Sequence, residues 1–405
     1  MVGASLRRGA LFAGAFLGPF GGGVTAAMLP ELGADFGVST GSASTSITAY
    51  LLPFAALMLV SGTLGERWGR RRTVVSGYLV YLVASLACVL AASWSLFLAA
   101  RALQGAANAF TTPLLLATLA GSVEPARLGR ALGWFGSLQA AGQTSAPLIG
   151  GLAAEFDWRL AFAGVGVVAV LLALAGLPDP GPRAAGAGPR PSLRSAWTPE
   201  VLRAGVAAAL GWGALAGLNF LVALRLEDAF GLSSGARGLV LTAMGLAGIL
   251  TARLIGGAVD RVGPRRCVLT GALTGAVLVA GIGLAPMLWV VVVLWALAGV
   301  SSQLVLVGVN ALVLGGGGPN AGGAVSVVQA VRFGGAAMSP VAVTPIYHAD
   351  PVAGFVVPAA LLAAGMPALL ARRRPRRPPP GREKRARGRF APPPPPCAGK
   401  AGGAP

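Results

Sequence analysis

An arginine, a glutamine and an asparagine interrupt one apolar run of this chain: Arg101, Gln104 and Asn108 in "RALQGAANA". Residues three and seven apart lie close to one face of a helix. An arginine inside a bilayer costs about 3 kcal/mol on insertion scales unless it snorkels or meets a polar cavity. The stripe can therefore line a water-filled route, hold a substrate or tune a neighbouring proton carrier; helix packing is the plainer alternative. Further polar groups stand in comparable runs: Tyr50, Gln139 and Gln143, Asn219, Gln303, Asn310, Gln329 and Arg332, with the aromatic Trp134, Trp212 and Phe220 among them. Singly, each suits an interhelical hydrogen bond as well as a ligand contact. Spread over both halves of the chain, they suit a central cavity between repeats. Such a lining favours a moderately apolar organic molecule over a sugar, which needs more paired polar groups.

Titratable groups are placed differently. None of the 13 acids stands clearly mid-span. Glu31, in "LPEL", ends the first apolar run and reads as a solvated cap, and the sole histidine, His348, falls near the outer end of another run. A proton carrier is thus not named by the residues themselves, and a substrate carboxylate near Arg101 is a further option. No paired intramembrane acids, metal-ligand cluster, phosphate-binding glycine loop or nucleophile with a base is visible, so an enzyme is excluded and no cofactor is implied. Cys88, Cys267 and Cys397 fit neither a disulfide framework nor a metal site.

The elements that must position these residues are long and apolar. The chain has 405 residues, 55% hydrophobic and only 11% charged, with a mean hydropathy of +0.73. A soluble protein of that length needs more charge on its surface. About twelve apolar runs appear, near 9–30, 42–62, 74–92, 95–119, 131–153, 159–177, 202–224, 235–257, 267–284, 286–312, 320–345 and 352–371. Each approaches the length that spans a bilayer as a helix; barrel strands are half as long and alternate in polarity. The first run, behind Arg7 and Arg8, reads as a retained helix rather than a cleaved signal.

Charge sets the orientation. With the N terminus inside, the inner segments carry most of the arginines, and the outer loops carry only Arg159, Arg225 and Arg237. The positive-inside bias then puts both termini in the cytoplasm and the chain in the cell membrane. The net charge of +19 does not mark a nucleic-acid partner, because eleven of the 32 basic residues follow Leu370 and most others occupy short inner breaks.

Two of those breaks match. "GTLGERWGRRR" begins at Gly62 and "GGAVDRVGPRR" at Gly256, 194 residues later. Both hold a glycine, three residues, an acid, an arginine, one residue, a glycine and a closing basic pair. This is an internal repeat, and it places Gly62, Glu66, Arg67, Gly69, Arg70, Arg71 and Arg72 opposite Gly256, Asp260, Arg261 and Gly263. Arginine alone satisfies the positive-inside rule; the repeated acid and glycine point to two latches at the inner face.

These residues resemble the signature loop after helix two of major facilitator superfamily transporters, with glutamate at Glu66 where aspartate is more usual and Pro264 in place of a basic residue. "RALQGAANA" resembles the fourth-helix motif of the proton-linked members. "GWFGSLQAAGQTSAPLIGG", with Gly142, Pro147, Gly150 and Gly151, resembles the fifth-helix motif of the drug:proton antiporter families, Ala146 standing where glycine is common. The resemblance covers about residues 9–371. It implies an all-α polytopic membrane protein of the major facilitator fold, with 12 transmembrane helices in two pseudo-symmetric six-helix bundles. The expected organisation is a first bundle over 1–177, a cytoplasmic linker over 178–200, a second bundle over 201–371 and a disordered basic, proline-rich tail over 372–405 that can touch anionic lipid. The implied function is secondary export of small, moderately apolar organic compounds in exchange for protons, for which a monomer suffices. Metabolite or sugar uptake or exchange, and a non-transporting membrane sensor, are the alternatives.

Overall fold

Inside a bilayer the backbone finds no water to bond, and the apolar runs fold as α-helices, which satisfy their own amides. The computed structural model describes residues 2–123, 125–177, 197–315 and 321–371, excepting the side chains of residues 2–6, 63, 66, 120, 121, 125–130, 132, 133, 314, 315 and 321–323. The helices are α1 (Val2–Gly23), α2 (Leu29–Phe36), α3 (Thr40–Trp68), α4 (Arg70–Val89), α5 (Trp94–Ser122), α6 (Pro125–Ala154) and α7 (Arg159–Ala175), then α8 (Pro199–Ala214), α9 (Asn219–Asp228), α10 (Ser234–Val262), α11 (Pro264–Leu284), α12 (Leu288–Gly315), α13 (Ala321–Ala349) and α14 (Pro351–Leu370). The first span is α1 with α2. The seventh is α8 and α9, joined by a single 3-10 turn at Ala216–Leu218. The other ten helices are one span each, giving six spans in either half of the described chain.

By length and apolarity alone, seven helical stretches among the described residues can cross a membrane. Their outer faces suit lipid: α4 exposes Leu79, Val80, Val83 and Leu86, and α10 exposes Leu239, Leu246, Leu250 and Leu254. Residues Met1–Leu370 form one compact unit. Most of the linker expected over 178–200 and all of the tail over 372–405 lie outside the described residues.

Hydropathy ends the second span near 62, yet α3 continues through Glu66 and Arg67 to Trp68, and α4 starts at Arg70. Glutamate and arginine are good helix formers, so the charged stretch stays helical. The bend is made by one residue, Gly69, at φ +93, and in the second half by Gly263, also at φ +93. A side chain is strained in that region, so this glycine is the one the turn requires. Gly62 and Gly256 are helical and have open space where a Cβ would stand.

The 194-residue repeat extends into the packing. Ser39 caps α3 by accepting from the Ser42 amide, and Ser233 caps α10 by accepting from the Ala236 amide. A Cβ at Gly105 of α5 would overlap the Tyr50 carbonyl oxygen of α3, and one at Gly299 of α12 would overlap that of Met244 on α10. Gly77 faces the Ala107 carbonyl as Gly271 faces that of Ser301. All four members of each comparison are offset by the same interval, so the two bundles repeat helix contacts as well as loops. Close backbone approach through small residues is how helices associate where lipid removes the hydrophobic drive.

Candidate functional site

The halves meet along two helix pairs, α3 with α13 and α6 with α10. Small residues allow the approach. Gly151 abuts the Ser234 carbonyl, Gly238 abuts that of Pro147, and Gly245 abuts Thr144. Gly142 instead faces α1 at the Phe16 carbonyl, and Gly150 faces the carbonyl of Val24, just past the end of α1. The fifth-span motif therefore serves both a neighbour in its own bundle and one in the other.

Polar contacts seal the end at which α3 and α10 begin. The Thr48 hydroxyl donates to the Ala337 carbonyl at 2.5 Å, that of Thr242 to the Thr144 carbonyl at 3.1 Å, and Ser44 and Thr344 share a bond of 3.2 Å. Glu155 at the end of α6 accepts from the Ser233 hydroxyl at 2.8 Å and the Gly235 amide at 3.1 Å. Arg237 is the centre of this seal. It is buried, pairs with Glu31 of α2 and with Glu227 of α9 at 3.3 Å, and donates to the Ala27 carbonyl at 3.1 Å. The other two arginines expected outside are engaged as well, Arg159 with Asp35 at 2.7 Å and Arg225 with the Ala285 carbonyl at 2.8 Å. Glu31, read from sequence as a solvated cap, is thus an ion-pair partner across the halves. The available signal was that Arg159, Arg225 and Arg237 are the only arginines of the loops expected outside.

At the opposite end, Asp260 is exposed and makes no ion pair among the described residues, and Arg67 and Arg261 are exposed. The Glu66 side chain lies outside the described residues. Arg70 donates to the Ala117 carbonyl of α5 at 3.3 Å, and Arg71 and Arg72 are exposed beside it.

Arg101 is fully buried inside the first bundle. It donates to Gln104 Oε1 at 2.7 Å and to the Gly21 carbonyl at 3.0 Å, and its guanidinium carbon sits 4.5 Å from the centre of the Tyr50 ring. Gln104 donates onward to Ser85 at 2.8 Å, and the Tyr50 hydroxyl to the Gly18 carbonyl at 3.0 Å. Asn108, also buried, accepts from Thr111 and Thr112. Arg101 and Gln104 form one network that ties α5 to α1, α3 and α4 among neutral partners, while the bonds of Asn108 to Thr111 and Thr112 stay within α5. A guanidinium over a desolvated ring contributes about 2 kcal/mol, well below the several kcal/mol that removing an ion from water costs, so the hydrogen bonds are needed to hold Arg101 there.

In the second bundle Trp212, Asn310, Gln329 and Arg332, dispersed through 121 positions, line one small pocket of about 10 Å³ together with Ser302. The Arg332 guanidinium lies 4.2 Å from the Trp212 ring and 4.4 Å from that of Phe333. Sequence reasoning missed Phe54 and Phe333, which join the two groups. Their rings meet edge to face at 4.9 Å across the interface; Phe54 is 6.3 Å from Tyr50, and Phe333 is 6.4 Å from Trp212. An aromatic row thus crosses from Arg101 to Arg332. Nothing in the spacing of Phe54 and Phe333 announces it, because the halves bring them together.

Other expected lining residues fall elsewhere. Gln139 and Gln143 are half-buried on α6, but Trp134, nine residues before Gln143, is on the opposite face and 64% exposed. Phe220 is fully buried in α9, Asn219 beside it has a buried Oδ1 without a partner, and Gln303 packs on Gly248 of α10. Among the described residues no cluster of potential metal ligands occurs.

Comparison with known proteins agrees with this architecture. The chain is 33% identical over 156 residues to the drug efflux pump JefA of Mycobacterium tuberculosis, a stretch covering 37% of this chain and 31% of that one. It is 30% identical over 175 residues to the riboflavin transporter RibZ of Clostridioides difficile, covering 41% and 38%. In both, the match spans about a third of the relative's length. Among solved structures, a bacterial homologue of the human lysosomal transporter Spinster, inward-facing and occupied, superposes with a TM-score of 0.69 at 19% identity over 89% of each chain. A peptide transporter in complex with sulfate superposes with a TM-score of 0.70 at 14% identity, over 89% of this chain and 93% of that one. The profile of the Major Facilitator Superfamily matches residues 11–236 and again 204–401, one match for each bundle, and the chain belongs to that superfamily.

Proposed function

We propose that the chain is a secondary transporter that moves small, moderately apolar organic compounds across the cell membrane by alternating access, exporting them in exchange for protons. The observation that carries this reading is the aromatic row across the bundle interface, Tyr50, Phe54, Phe333 and Trp212. Rings contributed by both halves offer an apolar organic molecule one face from each, and a rocking motion breaks that site into two. Similarity to a drug efflux pump supports export of such compounds.

With the arginine-rich turns in the cytoplasm, both termini face inward and the seal around Arg237 is the outer gate. The arrangement is then closed outside, and Asp260, which makes no ion pair among the described residues, is free to pair when the inner side closes. Glu31 and Glu227 hold Arg237 while the outer gate is shut, and opening that gate separates both pairs.

Proteoliposomes test this. An outward-directed flux of a lipophilic dye is expected to rise when an inward proton gradient is imposed and to acidify the compartment that the protons enter. Dye flux that ignores the gradient and moves no protons overturns the antiport; absence of flux for every solute under any gradient favours the sensor.

A further inference from the structure

Arg332 is a buried cation that the described chain does not compensate. It is only 7% exposed, its guanidinium contacts the two ring faces of Trp212 and Phe333, and its Nε has no hydrogen-bond partner. One turn earlier on the same face of α13, Gln329 also holds a buried oxygen without a partner. Both side chains line the pocket closed by Trp212, Ser302 and Asn310. Arg101, whose Nε is likewise without a partner among the described residues, spends two other donors on Gln104 and Gly21.

We propose that Arg332 is an anion-binding subsite, and that the compounds carried include aromatic carboxylates. Guanidinium donors make charge-assisted hydrogen bonds to a carboxylate oxygen, while Ser302, Asn310 and Gln329 supply neutral hydrogen-bonding groups around it. The size of the pocket argues for a head group with an organic body outside. At about 10 Å³ it has room for roughly one water-sized group, which accommodates a carboxylate oxygen and no whole solute. The body then lies against Trp212, Phe333 and Phe54, whose rings continue from the pocket to the bundle interface. The described carboxylates that form ion pairs, Glu31, Asp35, Asp157 and Glu227, all belong to the outer seal or its neighbourhood. A bound anion therefore meets Arg332 and no fixed negative charge of the ion-paired set.

This inference rests on the transport reading, which supplies a solute site between the halves, but it is tested by binding alone. Equilibrium dialysis of the purified full-length protein in detergent compares 2-naphthoate, its neutral counterpart 2-naphthamide, and acetate. Wild-type protein is expected to bind the naphthoate at least tenfold more tightly than the amide, and acetate more weakly than either. In Arg332→Gln, with an unchanged gel-filtration profile, the two naphthyl probes are expected to bind alike; Arg332→Lys, which keeps the charge and loses the planar fork, retains part of the preference. Equal binding of naphthoate and naphthamide by wild-type protein overturns the subsite whether or not the variants fold, and so does a preference that survives in Arg332→Gln. Acetate binding as tightly as naphthoate overturns the aromatic part. Naphthoate held through Arg332 without any flux in proteoliposomes counts against transport and for the subsite; dye flux with no naphthoate preference does the reverse.

Discussion

Arg237 of α10 and Glu31 of α2 form an ion pair between the two halves, with Arg237 buried and Glu31 partly open to solvent. Removing one partner of such a pair costs more than the pair contributes, because the other charge stays buried. Partial exposure of Glu31 and the second acid at Glu227 reduce that cost. Glu31→Gln is expected to weaken the closed seal by about 1–2 kcal/mol, a roughly 5–30-fold shift in the ratio of states. A cysteine at Ser44, buried within the seal, in a background without the native cysteines, should label faster by a similar factor. An unchanged labelling rate removes Arg237 from the gate; the exchange of Glu31→Arg with Arg237→Glu should restore the slow rate.

Arg101 predicts a loss of stability as well as of transport. Arg101→Ala strands Gln104 and the Gly21 carbonyl and empties the space over Tyr50, at a cost of about 3–5 kcal/mol. Lysine does not reproduce the fork, so Arg101→Lys should lose most of the same stability. Thermal unfolding in detergent measures both. A melting curve unchanged in Arg101→Ala, with flux abolished, would instead assign the residue to coupling alone.

The equivalent close approaches at Gly105 and Gly299 should respond alike. Alanine at either forces a Cβ into a carbonyl oxygen of the neighbouring helix, and overpacking of that kind costs about 1–3 kcal/mol. Gly62→Ala and Gly256→Ala meet open space and should leave melting unchanged or raise it, since alanine is the better helix former by about 1 kcal/mol. If those two glycines pack closely only when the inner side shuts, flux falls in Gly62→Ala while melting does not.

Gly69 and Gly263 should be the intolerant members of their motifs. Both sit at φ +93, where a side chain adds about 1–2 kcal/mol of strain. Gly69→Ala and Gly263→Ala are expected to lower the melting temperature together, by similar amounts, while Arg72→Ala at the exposed end of the same turn changes it little. Unequal effects at the two glycines would break their equivalence.

Sequence by itself determined the number of the spans and the repeat. Those properties follow from local composition: apolar runs long enough for a bilayer, arginines confined to alternate breaks, and the same charged turn at Gly62 and Gly256. It also singled out Arg101, Gln104 and Asn108 as a unit, because a helix puts residues at that spacing together without help from the fold. Tertiary structure decided what those residues face. Burial against α1, α3 and α4 makes Arg101 part of a packed network, whereas Arg332, equally charged and equally buried, has only rings and a pocket around it. Trp134 and Trp212 are alike in sequence, yet one is turned outward and the other closes the pocket. Glu31 with Arg237, and Phe54 with Phe333, are separated by 206 and 279 positions and meet only when the bundles dock. Periodicity carries information over a few turns of one helix; contacts between bundles depend on how two rigid bodies close, and that is set by their combined surfaces.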